Sequence, residues 1–116
     1  MLSAVLAAVL SLCGCEMPES NATALLAAEM TAHFIDVGQA DSIFVELPEG
    51  KTMLVDAGNN KDGSTVVGYL HSLGVEKIDY LVGTHPHADH IGGMDDVIDE
   101  FEIGAFYMPR ATTNTK

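Results

Sequence analysis

The chain has 116 residues, a net charge of −12 and two cysteines, so it can form at most one small domain. The excess of acidic over basic residues, 17 against 5, excludes an electrostatic footprint for nucleic acid on the chain itself. Both cysteines, Cys13 and Cys15, lie close to the amino terminus, so the remainder cannot contain an internal disulfide.

Residues 1–12 are almost wholly apolar and lead into the sequence Leu-Cys-Gly-Cys, which ends at Cys15. The run is too short for a membrane span of roughly 20 residues but suits the apolar core of an export signal. The four residues look like a bacterial lipobox, although no Lys or Arg precedes the apolar run. We predict a lipoprotein signal peptide over residues 1–14 and a lipid-attached linker over 15–31. The protein would then be extracytoplasmic, anchored to the bacterial cell membrane by lipid at Cys15; the alternative is a buried apolar helix.

From residue 32 onward, apolar patterns predict strands and helices in alternation. Pro48 and Gly50 supply turn chemistry between the second and third strands, which should therefore form a hairpin. Ser64 is predicted to cap the first helix and Gly74 to end it, and a second helix should begin near Met94. This order predicts an α/β domain over residues 32–116, a mixed sheet with helices on one face. The strands are predicted over residues 32–37, 42–47, 52–56, 78–82 and 103–108.

The stretch from Thr84 to Gly93 places three histidines and one aspartate, all able to bind a metal, within six residues. Imidazole and carboxylate ligands suit Zn²⁺ best, with Mn²⁺ or Fe as substitutes. Two such ions would hold and activate a bridging water, which predicts a metal-dependent hydrolase. Gly92 and Gly93 should let the backbone approach the metals closely. The alternative interpretation is a polar loop without metal.

The backbone conformation of this stretch predicts where its side chains point. His85 and His87 alternate along the chain, and Pro86 keeps the backbone extended, so both imidazoles should face one ion. Asp89 and His90 follow where the chain turns toward the second helix. We expect these two side chains to face a second position a few ångströms away.

Residues 84–90 match the HxHxDH signature of the metallo-β-lactamase superfamily. Residues 34–42, Phe-Ile-Asp-Val-Gly-Gln-Ala-Asp-Ser, are similar to the segment FIDVGQGDS of one branch. That branch includes the hydrolase domain of the DNA-uptake competence protein ComEC, and residues 50–58 and 78–82 also look like it. The resemblance covers residues 32–110 and implies the amino-terminal half of an αββα sandwich.

The resemblance also implies roles for individual side chains. His85 and His87 would ligate a first zinc ion, and Asp89 and His90 a second. Asp89 would also be catalytic, orienting or deprotonating the water. Three other carboxylates are implied to support the site by hydrogen bonds, although each could instead be a turn former: Asp36, Asp41 and Asp56.

The superfamily takes further ligands from later in its chain, whereas no His follows His90 and no Asp follows Asp99 here. We therefore expect an incomplete fragment of a longer hydrolase that holds metal weakly. The resemblance favours a phosphodiester substrate resembling nucleic acid, and no protein partner can be inferred. A thioester, lactone or β-lactam substrate is an alternative within the fold. A non-catalytic surface lipoprotein or gene fragment that retains half of the fold is the alternative from another class.

Overall fold

Runs of β-branched and aromatic residues form one five-stranded sheet in the computed structural model, which describes residues 29–111. The strands lie in the sheet in chain order. The first three are antiparallel neighbours, and the last three run parallel to one another. The predicted signal peptide and Cys15 lie outside the described residues. The strands are β1 (Thr31–Phe34), β2 (Ile43–Glu46), β3 (Thr52–Val55), β4 (Lys77–Val82) and β5 (Glu102–Tyr107).

The hairpin predicted between β2 and β3 is confirmed, with Phe44 opposite Leu54. Its turn is a short 3-10 segment, Pro48–Gly50. The φ angle of Gly50 is +73°, which a residue without Cβ adopts without strain. β1 ends at Phe34, earlier than predicted, and the chain continues as a loop whose last residues, Asp41 and Ser42, bond to Gly58 and Asp56 after β3.

Within residues 29–111, three α-helices accompany the sheet: α1 (Gly63–Ser72), α2 (Ala88–Ile91) and α3 (Met94–Glu100). The prediction that Gly74 follows the end of α1 is confirmed, since its φ is +74° and its N–H bonds to the carbonyl of His71. The prediction that Ser64 caps α1 is wrong. The helix begins at Gly63 with Asp62 as its flanking residue, so Ser64 lies within the first turn.

The core forms where the sheet meets α1 and α3. Leu54 lies opposite both Phe44 on β2 and Leu81 on β4, and all three side chains are fully buried. Complete burial of side chains of this size stabilises the fold by about 1.5–3 kcal/mol each. The helices cover this row with four buried residues: Val66, Leu70, Met94 and Val97.

The parallel pairing of β3 and β4 positions the candidate functional site. Val55 and Val82, the last residues of these strands, are register partners. Asp56 and the segment that begins at Gly83 therefore leave the sheet at the same edge, where open α/β sheets place their ligand sites. None of the helices within residues 29–111 has the length and apolar character needed to cross a bilayer. The mixed α/β fold class predicted from the sequence is confirmed.

Candidate metal centre

Three side chains that can bind a metal converge at this edge of the sheet. His85, His87 and Asp89 each offer a ligand atom, and these three atoms all lie within 4.8 Å of one another. His87 is extended, with φ −108° and ψ 150°, and α2 begins at the next residue. Because the chain enters a helical turn there, Asp89 folds back toward the two imidazoles. Its side chain is 50% exposed, so solutes reach the cluster from solvent.

His90 adjoins the same cluster. Its ring centroid lies 3.7 Å from that of His85, and its Nε2 lies 3.7 Å from a carboxylate oxygen of Asp89. The sequence predicted one pair formed by His85 and His87 and a second formed by Asp89 and His90. In the structure the four side chains form one cluster. Asp89 lies close to His85 and His87 as well as to His90.

A buried carboxylate holds His90 in place. The Nδ1 of His90 lies 2.8 Å from Oδ2 of Asp56, whose side chain is 3% exposed. A carboxylate beside one ring nitrogen fixes the tautomer with the proton on that nitrogen, so Nε2 keeps a free lone pair. Asp56 thus prepares His90 to act as a ligand through Nε2.

Asp56 is itself fixed by the neighbouring strand end. The N–H of Thr84 donates to its Oδ1 at 2.8 Å, and the hydroxyl of Thr84 donates to its Oδ2 at 2.6 Å. Its φ angle is +59°, in the left-handed region that side chains other than Gly rarely adopt. The buried hydroxyl of Ser42 donates to its carbonyl at 3.1 Å, and its N–H bonds to the carbonyl of Val82 at 2.9 Å. Such strain persists where surrounding contacts enforce it, typically at functional sites.

The other two carboxylates proposed as supports lie in different places. Asp41 places a carboxylate oxygen 3.5 Å from Nδ1 of His90, and its N–H donates to the carbonyl of Asp89 at 3.1 Å. Asp36 accepts the N–H of Gly38 at 3.2 Å, which is a turn-forming contact. Among the hydrogen bonds of residues 29–111, none joins Asp36 to the cluster.

Thr84 and Ser42 hold Asp56 in place, and nothing in the sequence marked them as site residues. Thr84 directly precedes the histidine motif, and Ser42 directly follows Asp41. Their signal was weak because a hydroxyl residue beside a strand end is common. Each of them can be connected to the site only through its hydrogen bonds to Asp56, which the structure shows.

Gly92 and Gly93 lie so close to other backbone segments that a side chain at either position would collide with them. A Cβ at Gly92 would collide with the carbonyl of Ala88 and with Asn60, and one at Gly93 with the carbonyl of Ala57. The loop after β3 therefore packs directly on the motif, with the N–H of Ala57 donating to the carbonyl of His90 at 2.7 Å. The prediction that these glycines let the backbone approach the metals stays a prediction; the atoms that an added Cβ would meet belong to Ala88 and to residues 57–63.

The sequence model described as "Metallo-beta-lactamase superfamily" matches residues 35–115. The chain belongs to the metallo-β-lactamase superfamily. It is 34% identical over 79 residues to the anti-Pycsar protein Apyc1 of Bacillus phage 010DV004, covering 65% of this chain and 29% of the relative. It is 26% identical over 102 residues to ComE operon protein 3 of Bacillus subtilis (strain 168), covering 73% of this chain and 13% of that protein.

Part of a solved metallo-β-lactamase from Cronobacter sakazakii, a mutant in its HARLDQ motif, has a similar fold. The TM-score is 0.54 at 24% identity, and the match covers 64% of this chain and 29% of the solved one. This chain therefore has a partial metallo-β-lactamase fold, and it spans less than a third of each of these three proteins.

The donor set fits the metal binding that is general in the metallo-β-lactamase superfamily. Two imidazoles and a carboxylate are ligands that Zn²⁺, Mn²⁺ and Fe all accept. The pairing of His90 with Asp56 is the carboxylate–histidine arrangement found behind metal ligands. The residues present therefore suit a metal ion, and the superfamily indicates a metal-dependent hydrolase. The choice of zinc stays a prediction.

Proposed function

We propose that this chain provides the metal-binding part of a zinc-dependent phosphodiesterase. The observation that carries the proposal is the convergence of His85, His87 and Asp89 beside a His90 that buried Asp56 orients. The phosphodiester substrate is supported by the resemblance of residues 34–42 to the branch that includes the DNA-uptake competence protein. The similarity to ComE operon protein 3 supports the assignment to that branch.

When bound, zinc ions supply Lewis acidity to a phosphoryl oxygen and a water nucleophile at neutral pH. The chain's own residues hold the ligand atoms in position before substrate arrives. Asp56 and Thr84 keep the Nε2 of His90 directed outward, so no reorganisation of this ring is needed. The half-exposed carboxylate of Asp89 lies where it can accept a proton from water or orient it.

We propose that the active form of the protein is longer and that its additional residues supply further metal ligands. Four candidate ligands shared between two ions give two each, whereas a catalytic zinc ion normally has three protein ligands. The 29% and 13% coverage of the two sequence relatives is compatible with a longer active protein. We therefore expect the 116-residue protein to bind zinc weakly and the complete gene product to hydrolyse substrate.

The proposal is tested by measuring zinc content and hydrolysis of bis(p-nitrophenyl) phosphate by the complete gene product, with a lactone and a β-lactam as competing substrates. His87→Ala should abolish both zinc retention and phosphodiester hydrolysis. The control is His71→Ala, because His71 contacts Glu100 on the helical side and lies outside the cluster. Full activity in His87→Ala, or preference for the lactone or β-lactam, would refute the phosphodiesterase.

We also propose that lipid on Cys15 anchors the protein to the outer side of the bacterial cell membrane. The support is the apolar run followed by Leu-Cys-Gly-Cys. In a bacterial host, Cys15→Ser should move the protein from the membrane fraction to the soluble fraction, and Cys13→Ser should leave it in the membrane. Equal partitioning of the two variants would contradict lipidation at Cys15.

A further inference from the structure

A groove of about 560 Å³ opens beside the metal centre. Ala88 forms part of its wall, and this residue stands between the ligand candidates His87 and Asp89 in the chain. The volume lies within the range of about 300–1,000 Å³ that is typical of small-molecule sites. We call it the amide groove, and its lining residues are Val37, Gln39, Asn59, Asn60, Lys61 and Ala88.

The walls of the amide groove are tied to the metal centre by backbone hydrogen bonds. The N–H of Asp41 donates to the carbonyl of Asp89 at 3.1 Å, and the N–H of Gly58 donates to the carbonyl of Asp41 at 2.9 Å. Asn59 donates through its backbone and side-chain nitrogens to the carboxylate of Asp62, at 3.0 and 3.1 Å. The groove therefore has a fixed position relative to the candidate metal ligands.

Lys61 gives the amide groove a positive charge in a chain of net charge −12. Lys51 and Lys77 each lie in an ion pair, with Asp79 at 3.0 Å and Glu102 at 2.7 Å. Within residues 29–111, no carboxylate forms an ion pair with Lys61. Its exposed ammonium is therefore free, as far as the described part of the chain extends, to attract an anionic ligand to this side of the centre.

Gln39 and Asn60 supply the complementary neutral groups. A carboxamide offers both hydrogen-bond donors and acceptors, which is what the polar edge of a nucleobase requires. Across the described residues, neither carboxamide is engaged as a hydrogen-bond donor to another protein group. The groove thus combines one cation with two uncommitted amides next to the metal donors.

We infer that the amide groove binds the nucleotide unit adjoining the reacting phosphodiester. Lys61 pairs with a phosphate oxygen, and Gln39 and Asn60 contact the base. The inference rests on the proposed phosphodiesterase function, because it places the reacting group at the metal centre. It adds a binding surface for the neighbouring nucleotide unit and a binding residue, Lys61, that a generic phosphodiesterase does not require.

The test measures binding of the dinucleoside monophosphate thymidylyl-thymidine to the ¹⁵N-labelled 116-residue protein, with and without zinc. We expect amide shifts in residues 37–39 and 59–61. Lys61→Gln should weaken binding about tenfold and reduce its salt dependence, since a charge-assisted contact is lost. Lys61→Arg should restore most of the affinity because it retains the positive charge.

The matched control is Lys77→Gln, which removes the same charge from the amino end of β4. Equal affinities of Lys61→Gln and Lys77→Gln, or amide shifts confined to other residues, would overturn the inference. Both substitutions are at exposed positions, and unchanged melting temperatures would show that the variants fold. Failure of the proposed function has a different signature: the complete gene product leaves phosphodiesters intact while the groove still binds the dinucleotide.

Discussion

The imidazole of His90 and the carboxylate of Asp56 lie 2.8 Å apart, although 34 residues separate them in the chain. Their contact depends on the parallel pairing of β3 and β4, which brings the ends of the two strands to one edge of the sheet. Because the carboxylate engages Nδ1, only Nε2 of His90 faces the cluster with Asp89. The pairing of β3 with β4 therefore determines which ring nitrogen of His90 is available to bind a metal.

Asp56→Asn should lower zinc affinity about 10–100-fold while the domain stays folded. Asn tolerates the positive φ angle at this position and still accepts the N–H of Thr84. Its amide nitrogen would donate to Nδ1 of His90, which would move the ring proton to Nε2 and block ligation. Zinc competition against a chelator gives the affinity, and imidazole ¹⁵N shifts report the tautomer. Asp36→Asn is the control, and equal zinc affinity in the two variants would contradict this role for Asp56.

Much of the fold could be predicted because its signals are local. Alternating and β-branched residues indicated the strands, Pro48 and Gly50 the hairpin, and Gly74 the end of α1. Four-residue α2 was missed because Ala88–Ile91 is too short to show helical periodicity. Since α2 folds Asp89 back toward His85, spacing alone could not place the carboxylate.

The support behind the ligands could be predicted only in part. Asp56 was a candidate because of the family resemblance, but Asp36 and Asp41 were candidates for the same reason. What distinguishes Asp56 is burial together with two contacts from Thr84, and both depend on the pairing of distant strands. The start of α1 was missed because Ser64 and Asp62 are equally good capping residues in sequence.

Gly92→Ala should destabilise the domain by about 1–3 kcal/mol, since the added methyl overpacks a closed contact. The colliding atoms include the carbonyl of Ala88 and the backbone nitrogen of Asn60, which cannot rotate away as side chains do. Gly68→Ala is the matched control, because its Cβ would meet nothing within 4 Å on an exposed face of α1. That change should stabilise the domain by up to about 1 kcal/mol through helix propensity. Urea unfolding of both variants measures the difference, and destabilisation by Gly68→Ala alone would contradict the packing argument.

Zinc should raise the melting temperature of the 116-residue protein in proportion to the logarithm of its free concentration. A ligand that binds only the folded state stabilises it by about 2.7 kcal/mol at 100 times its dissociation constant. A chelator should reverse the shift, and His87→Ala should remove most of it because one of three converging donors is lost. His33→Ala is a control for general histidine binding, since His33 contacts Tyr69 and Glu46 instead. A shift that persists in His87→Ala would place the zinc elsewhere.

Asp79 should make the domain sensitive to acid. The hydrogen bond from Lys51, together with that from the N–H of Thr52, holds the pKa of the Asp79 carboxyl below its usual value of 3.8. A carboxyl with a depressed folded-state pKa contributes stability that is fully present above 3.8 and is lost as the pH falls through the folded-state pKa. Asp79→Asn should therefore lower the free energy of unfolding at neutral pH, and the difference from the parent should shrink in strong acid. Urea unfolding at several pH values measures it, with Glu76→Gln as the control for loss of a nearby carboxylate. A difference that stays constant with pH would show that Asp79 acts through packing rather than through its charge.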